Sequence, residues 1–79
     1  MKATVLVRPK QGILDPQGAA VVTALDHLGF GVSDARIGKV IDLDVEAADS
    51  ATARTEVEKM CEQLLANRLI ESYDVEIHS

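Results

Sequence analysis

Residues 32–45 read VSDARIGKVIDLDV, and their side chains alternate: Ala35, Ile37, Ile41, Leu43 and Val45 fall on one side, Arg36, Asp42 and Asp44 on the other. A period of two marks a strand with one buried face. At roughly 3.3 Å per residue such a strand is long for a small domain, and it outruns any shorter neighbour, leaving edge groups in need of a partner. Two residues complicate the pattern. Gly38 is a place for a bend or bulge. Lys39 falls on the apolar side unless a bulge at Gly38 reverses the register, so its ammonium must snorkel or meet a carboxylate.

Upstream of this strand, residues 3–9 alternate in the same way, with Ala3, Val5 and Val7 opposite Thr4, Leu6 and Arg8, and they stop at Pro9, which has no N–H for a ladder. A glycine-bearing loop follows. Asp15-Pro16 then supplies an N-cap carboxylate and a proline at the first helical position, a strong start signal. Val21, Val22, Leu25 and Leu28 recur at helical spacing up to Gly29, which stands where a left-handed terminating residue belongs. Gly18 lies early in this helix, either because another element approaches the backbone closely or because a first-turn glycine is tolerated.

Downstream, Asp49-Ser50 caps a second helix whose apolar face carries Ala53, Val57, Met60, Cys61 and Leu64, with Arg54, Glu58 and Glu62 exposed. This helix is expected to end near Ala66-Asn67, with Asn67 in the left-handed conformation. Tyr73, Val75 and Ile77 alternate with Asp74, Glu76 and His78 as a third, short strand. The order strand, helix, strand, helix, strand in a single domain, residues 1–79, predicts two helices over one face of a small sheet.

Composition narrows the function. A chain of 79 residues buries only about 60–65% of its unfolded surface, so it needs a disulfide, a metal or oligomerisation. One cysteine, Cys61, and two histidines, His27 and His78, offer neither a disulfide nor a zinc set. Self-association remains, with sheets joined edge to edge or stacked. The net charge of −5 disfavours nucleic acid, and Phe30 and Tyr73 are too few for base stacking. No apolar run approaches about 18 residues and no signal peptide is evident, so an unexported, cytoplasmic chain is expected, away from any membrane.

Chemistry is sparse. Asp42, Asp44 and Glu46 share a strand face and read as solvated charges rather than cation ligands. Cys61 reads as a buried small hydrophobe, His27 as a partner for a helix C-terminus, and His78 as a mobile group near the chain end. Gly29-Phe30-Gly31 is a turn, not a phosphate cradle. The segment Arg8–Gly18 could hold an anion at a helix start, but by itself this pattern is weak, and an ordered loop with solvated charges is the preferred reading.

Four segments together resemble the PurS family: KQGILDPQG at 10–18, LDHLGF at 25–30, ARIGKVIDLDV at 35–45 and MCEQLLANRLIESYDVEI at 60–77. The resemblance implies an α+β fold, β-α-β-α-β, with two helices packed on one face of a small antiparallel sheet completed by oligomerisation. It also implies a non-catalytic subunit of phosphoribosylformylglycinamidine synthase, the ligase that converts formylglycinamide ribonucleotide, glutamine and ATP to formylglycinamidine ribonucleotide. PurS-like chains bridge a glutaminase subunit (PurQ), which releases ammonia, and a synthetase subunit (PurL). On this resemblance the chain itself binds no cofactor or metal, the complex uses ATP and magnesium, and the partners are PurL, PurQ and further copies of the chain. Arg68, where many relatives have proline, and Ala19-Ala20 depart from the pattern.

Two interface groups are expected. Lys10, Asp15, Pro16 and Gly18 shape a loop and helix entry read by a partner or a second protomer. Arg36, Gly38 and Lys39 lie at or near a protomer interface, because Lys39 needs a counter-ion and Gly38 permits close approach. The alternative from another class is a small-molecule-sensing module of the ACT type, which pairs through strands but normally has four of them.

Overall fold

The computed structural model describes residues 1–12 and 14–78; Ile13, inside the loop quoted above, and Ser79 lie outside the described residues. Three strands and two helices follow one another as β1 (Lys2–Pro9), α1 (Pro16–His27), β2 (Lys39–Asp44), α2 (Ser50–Met60) and β3 (Glu71–His78). The strands form one antiparallel sheet in the order β2-β1-β3, so the most apolar strand is central and both of its edges are paired. Cross-strand rows set Val5 between Ile41 and Val75, and Val7 between Lys39 and Tyr73.

The buried core consists of Ala3, Val5 and Val7 from β1, Val45 after β2, and Ala53, Val57, Cys61 and Ala66 from the α2 region. Half-buried Ile41, Leu43, Tyr73, Val75 and Ile77 pack around it. These are small side chains, so the hydrophobic stabilisation available to one copy is correspondingly small.

α2 begins at Asp49, whose side chain accepts from the Thr52 N–H at 2.7 Å, and it packs against β3. Its end departs from expectation. The last turn, Cys61–Leu65, is π-helical and closes with the Ala66 N–H on the Cys61 carbonyl at 3.2 Å. The wider turn takes in one extra residue and shifts the phase of the apolar face. Ala53, Val57 and Cys61 therefore continue into half-buried Leu65, while Leu64, the expected core position, is 83% exposed. Asn67 does not adopt the left-handed conformation; no non-glycine among the described residues has a positive φ. Instead its side chain accepts from the Leu69 N–H at 3.1 Å and its backbone N–H donates to Glu71 Oε1 at 2.7 Å, turning the chain into β3.

β2 also differs from expectation. Only Lys39–Asp44 pairs with β1; residues 32–38 belong to no ladder. The register from Lys39 to Asp44 is unbroken, so Gly38 does not reverse it. Lys39 stays on the face of Val7 but lies at the uncovered end of the sheet, where its side chain is exposed.

α1 starts as the sequence predicts, with Asp15 as N-cap and Pro16 in the first turn, and Gly29 beyond its end has φ of 92°. Its packing is different from that of α2. It makes no extensive contact with any strand, Gly18 is its one buried residue, and Leu28 is 71% exposed. Within one copy, α2 supplies the cover of the sheet and α1 forms, with the returning segment, an arm. The radius of gyration, 15.8 Å, reflects this, since a compact chain of this length has about 12 Å.

Val57 and Leu64 are seven residues apart and would share a face of an uninterrupted α-helix. With the π turn they do not. Val57→Ala is expected to lower the unfolding free energy by about 1–3 kcal/mol, whereas Leu64→Ala changes it by less than about 0.5 kcal/mol, as urea unfolding would measure.

Candidate functional site

The residues singled out in the sequence converge where the arm leaves the sheet. Asp15 uses both carboxylate oxygens. Oδ1 accepts from the Gln17 N–H at 3.1 Å and caps α1, while Oδ2 accepts from the Ile37 N–H at 2.6 Å and ties the helix start to the returning chain. Two positions along α1, a Cβ on Gly18 would stand 1.9 Å from the carbonyl oxygen of Ala35. Close approach, one of the two readings the sequence left open, is therefore the reason for this glycine. Gly38 plays the same part at the sheet: a Cβ there would lie 2.3 Å from the Val7 carbonyl oxygen. Between the two glycines, Arg36 donates from its terminal nitrogen to the Lys10 carbonyl at 2.8 Å, and its Nε lies 4.0 Å from Asp34.

Asp15, Pro16, Gly18, Arg36 and Gly38 are thus brought into one junction of loop, helix and returning chain. Lys10 and Lys39 differ from them. Lys10 donates its backbone N–H to the Ile70 carbonyl at 2.9 Å, and its side chain points to solvent from the loop. Lys39 lines an open groove of about 900 Å³ beside the junction, together with Arg8, Arg36, Asp34, Leu6 and Val40. Three of the chain's eight basic side chains line this groove, against a net charge of −5 overall. The groove was not legible as a unit, because Arg8 and Asp34 meet Lys39 only after the arm folds back.

The Asp15 carboxyl is held below the ordinary aspartate range, first by the N–H of Ile37, then by those of Gly18 and Gln17 and by the nearby Arg36 charge, with desolvation opposing. Asp49 is lowered for a similar reason, chiefly the Thr52 N–H. The acids of β2 are engaged within the sheet: Asp42 accepts from the Thr4 hydroxyl at 3.0 Å, and Asp44, lowered first by its hydrogen bond from Lys2, lies 3.3 Å from that ammonium. His78 is not a loose end; its Nε2 lies 3.0 Å from the Thr4 hydroxyl. Cys61 is buried, and desolvation, with Glu62 and Glu58 adding to it, pushes its thiol pKa up, the opposite of an activated nucleophile. Arg68 pairs with Glu62, which accepts from the Tyr73 hydroxyl at 3.3 Å, a cluster that sequence periodicity did not suggest.

Among the described residues no three His, Cys, Asp or Glu side chains are grouped to hold a metal ion, and no helix is long and apolar enough to cross a membrane. What the junction can do is hold surfaces at fixed angles: it orients an arm and a charged groove relative to the sheet.

Substitutions at the junction separate its parts. Gly18→Ala, which drives a methyl group into a backbone carbonyl, is expected to lower stability by about 1–3 kcal/mol or more in urea unfolding, while Gly31→Ala, with open space around it, stays within about 0.5 kcal/mol. The depressed pKa of Asp15 sets a pH dependence of known sign. Its stabilisation is complete above the unfolded aspartate value of about 3.9 and is lost as pH falls through the lower folded value. The stability difference between the parent and Asp15→Ala is therefore expected to shrink on acidification from about pH 6 to about pH 2, read from unfolding curves at each pH.

Residues 2–79 match the family model described as PurS, phosphoribosylformylglycinamidine (FGAM) synthase. The phosphoribosylformylglycinamidine synthase subunit PurS of Synechocystis is 53% identical over 74 residues, covering 92% of this chain and 72% of that one. The fold matches that of Bacillus subtilis PurS with a TM-score of 0.88 at 43% identity, over 99% of this chain and 98% of the other. It also matches a chain of PurLQS from Thermotoga maritima with a TM-score of 0.86 at 36% identity, over 95% and 93% of the two chains. With sequence and fold agreeing over almost its whole length, the chain belongs to the PurS family of phosphoribosylformylglycinamidine synthase subunits.

Proposed function

We propose that this chain is the non-catalytic bridging subunit of its synthase, joining the glutaminase subunit PurQ to the synthetase subunit PurL and supporting transfer of ammonia between them in the cytoplasm. The observation that carries this reading is the likeness to the chain in the Thermotoga maritima PurLQS structure, which extends over 95% of this protein. The geometry is of a kind with it. The junction residues orient surfaces, and the buried thiol of Cys61 is unsuited to attack. ATP and magnesium belong, on this reading, to the partner subunits. Among the described residues the sheet has three strands, one fewer than is usual in an ACT-type sensor.

Self-association is the second half of the proposal. An arm without cover in its own chain, a free edge on β2, and exposed Leu28, Phe30 and Val40 are surfaces that a further copy or a larger subunit would bury. In the proposed assembly Lys10 and Lys39 meet partner groups directly, while Asp15, Pro16, Gly18, Arg36 and Gly38 hold the contact surface in place.

Purified PurL and PurQ from the same source, mixed with and without this chain, provide the test. Glutamine-dependent synthesis and a complex of all three subunits, seen by light scattering, are expected only when the chain is added. Full activity and no complex after its addition would overturn the bridging role.

A further inference from the structure

The hydrogen bonds of the ladders fix which backbone groups of β3 face away from the sheet. Met1 and Val45 continue the β1–β2 register and exchange both bonds: the Met1 ammonium donates to the Val45 carbonyl at 2.8 Å, and the Val45 N–H donates to the Met1 carbonyl at 2.7 Å. In an antiparallel ladder such exchanging pairs recur at every second residue. The odd-numbered residues of β1 therefore turn their N–H and C=O toward β2, and the even-numbered ones turn theirs toward β3. The Lys10 N–H, which donates to the Ile70 carbonyl at 2.9 Å, follows the same parity. Thr4, Leu6 and Arg8 face Glu76, Asp74 and Ser72, so in β3 the backbone groups of Tyr73, Val75 and Ile77 point outward.

One of these outward groups is engaged by a side chain from another element. Arg54 of α2 donates from a terminal guanidinium nitrogen to the Val75 carbonyl at 3.2 Å. Val75 lies near the middle of β3, and a strand added along this edge would need that carbonyl for its own ladder. Side-chain charge acts in the same sense. β3 carries Glu71, Asp74 and Glu76 and no lysine or arginine. The two-fold registers that pair most of the strand are centred on Asp74 and on Val75. The first sets Asp74 against Asp74, the second sets Asp74 against Glu76, and like charges directly opposite destabilise a pair.

We infer that Arg54 is an edge guard: its guanidinium, reaching over from α2, closes the β3 edge of the sheet to strand addition. A sheet open at both edges adds strands without limit, whereas a sheet closed at one edge gives an assembly of finite size. The guard acts within one chain, whichever subunits that chain joins. It also gives α2 a second task, because the helix that covers the core places one exposed arginine where it caps the strand beside it.

Sedimentation velocity over a concentration series tests the guard in a chain whose edge carboxylates have been neutralised, Asp74→Asn with Glu76→Gln, so that Arg54 acts alone. This double variant is expected to keep the parent's size. Adding Arg54→Ala is expected to produce species of at least about twice the parent's mass that grow with concentration, while adding Arg54→Lys, which keeps a charged donor, holds the parent's size. Alanine is a strong helix former, so α2 is not weakened by the change, and circular dichroism checks this. Lys59→Ala, on the same helix, removes the same charge and is expected to cause no growth. A folded Arg54→Ala variant that sediments as the parent does would overturn the guard. So would growth of the double variant with Arg54 in place, or equal growth with Lys59→Ala.

Discussion

One carboxylate holds this protein's shape. Asp15 satisfies the first turn of α1 with one oxygen and the backbone of Ile37 with the other, so the start of the helix and the end of the segment returning from it are fixed at one point. The buried contact of Gly18 with Ala35 lies beside that point and admits no side chain. Because α1 has no broad contact with the sheet, these short-range interactions rather than a hydrophobic interface set the angle of the arm. A polar anchor of this kind gives direction without much stabilisation, since an exposed hydrogen bond made on folding replaces one made to water.

The core explains why so much is left to the anchor. Among the described residues eight, mostly valine and alanine, are buried about α2 and the π turn, and no comparable set lies under α1. The half of the sheet that includes β2 is therefore thinly covered, with Ile41 and Leu43 only half-buried. A protein of this size that leaves one helix and one sheet edge open places the remaining burial in its assembly, where oligomerisation stands in for the core that the single chain lacks.

Much of this was legible in the sequence, for identifiable reasons. Period-two patterns at residues 3–9 and 73–77 reported strands with one covered face, and Asp15-Pro16 and Asp49 reported helix starts because capping is a local interaction between near neighbours. The end of α2 was not legible: Leu64 fits an α-helical face perfectly well, and only the extra residue taken up by the π turn exchanges it for Leu65. Nor could periodicity show that residues 32–38 lack a strand partner, because alternation records which face is apolar and not whether a neighbour is present. The junction was half legible. Gly18, Gly38 and Asp15 stood out as residue types, but their partners are the backbone groups of Ala35, Val7 and Ile37, and a backbone group leaves no mark in a sequence.

The same limit bears on how the arm and the edge work together. Ile37 is tied to the helix start and Lys39 to the sheet ladder, so Gly38 lies between two fixed points, one on the arm and one on the body. A change in the arm's angle must therefore move the approach to the free edge of β2. An arm set by a carboxylate and two glycines is in this sense coupled to the edge strand: the interactions that look most local, a cap and two close backbone approaches, fix where the returning chain enters β2.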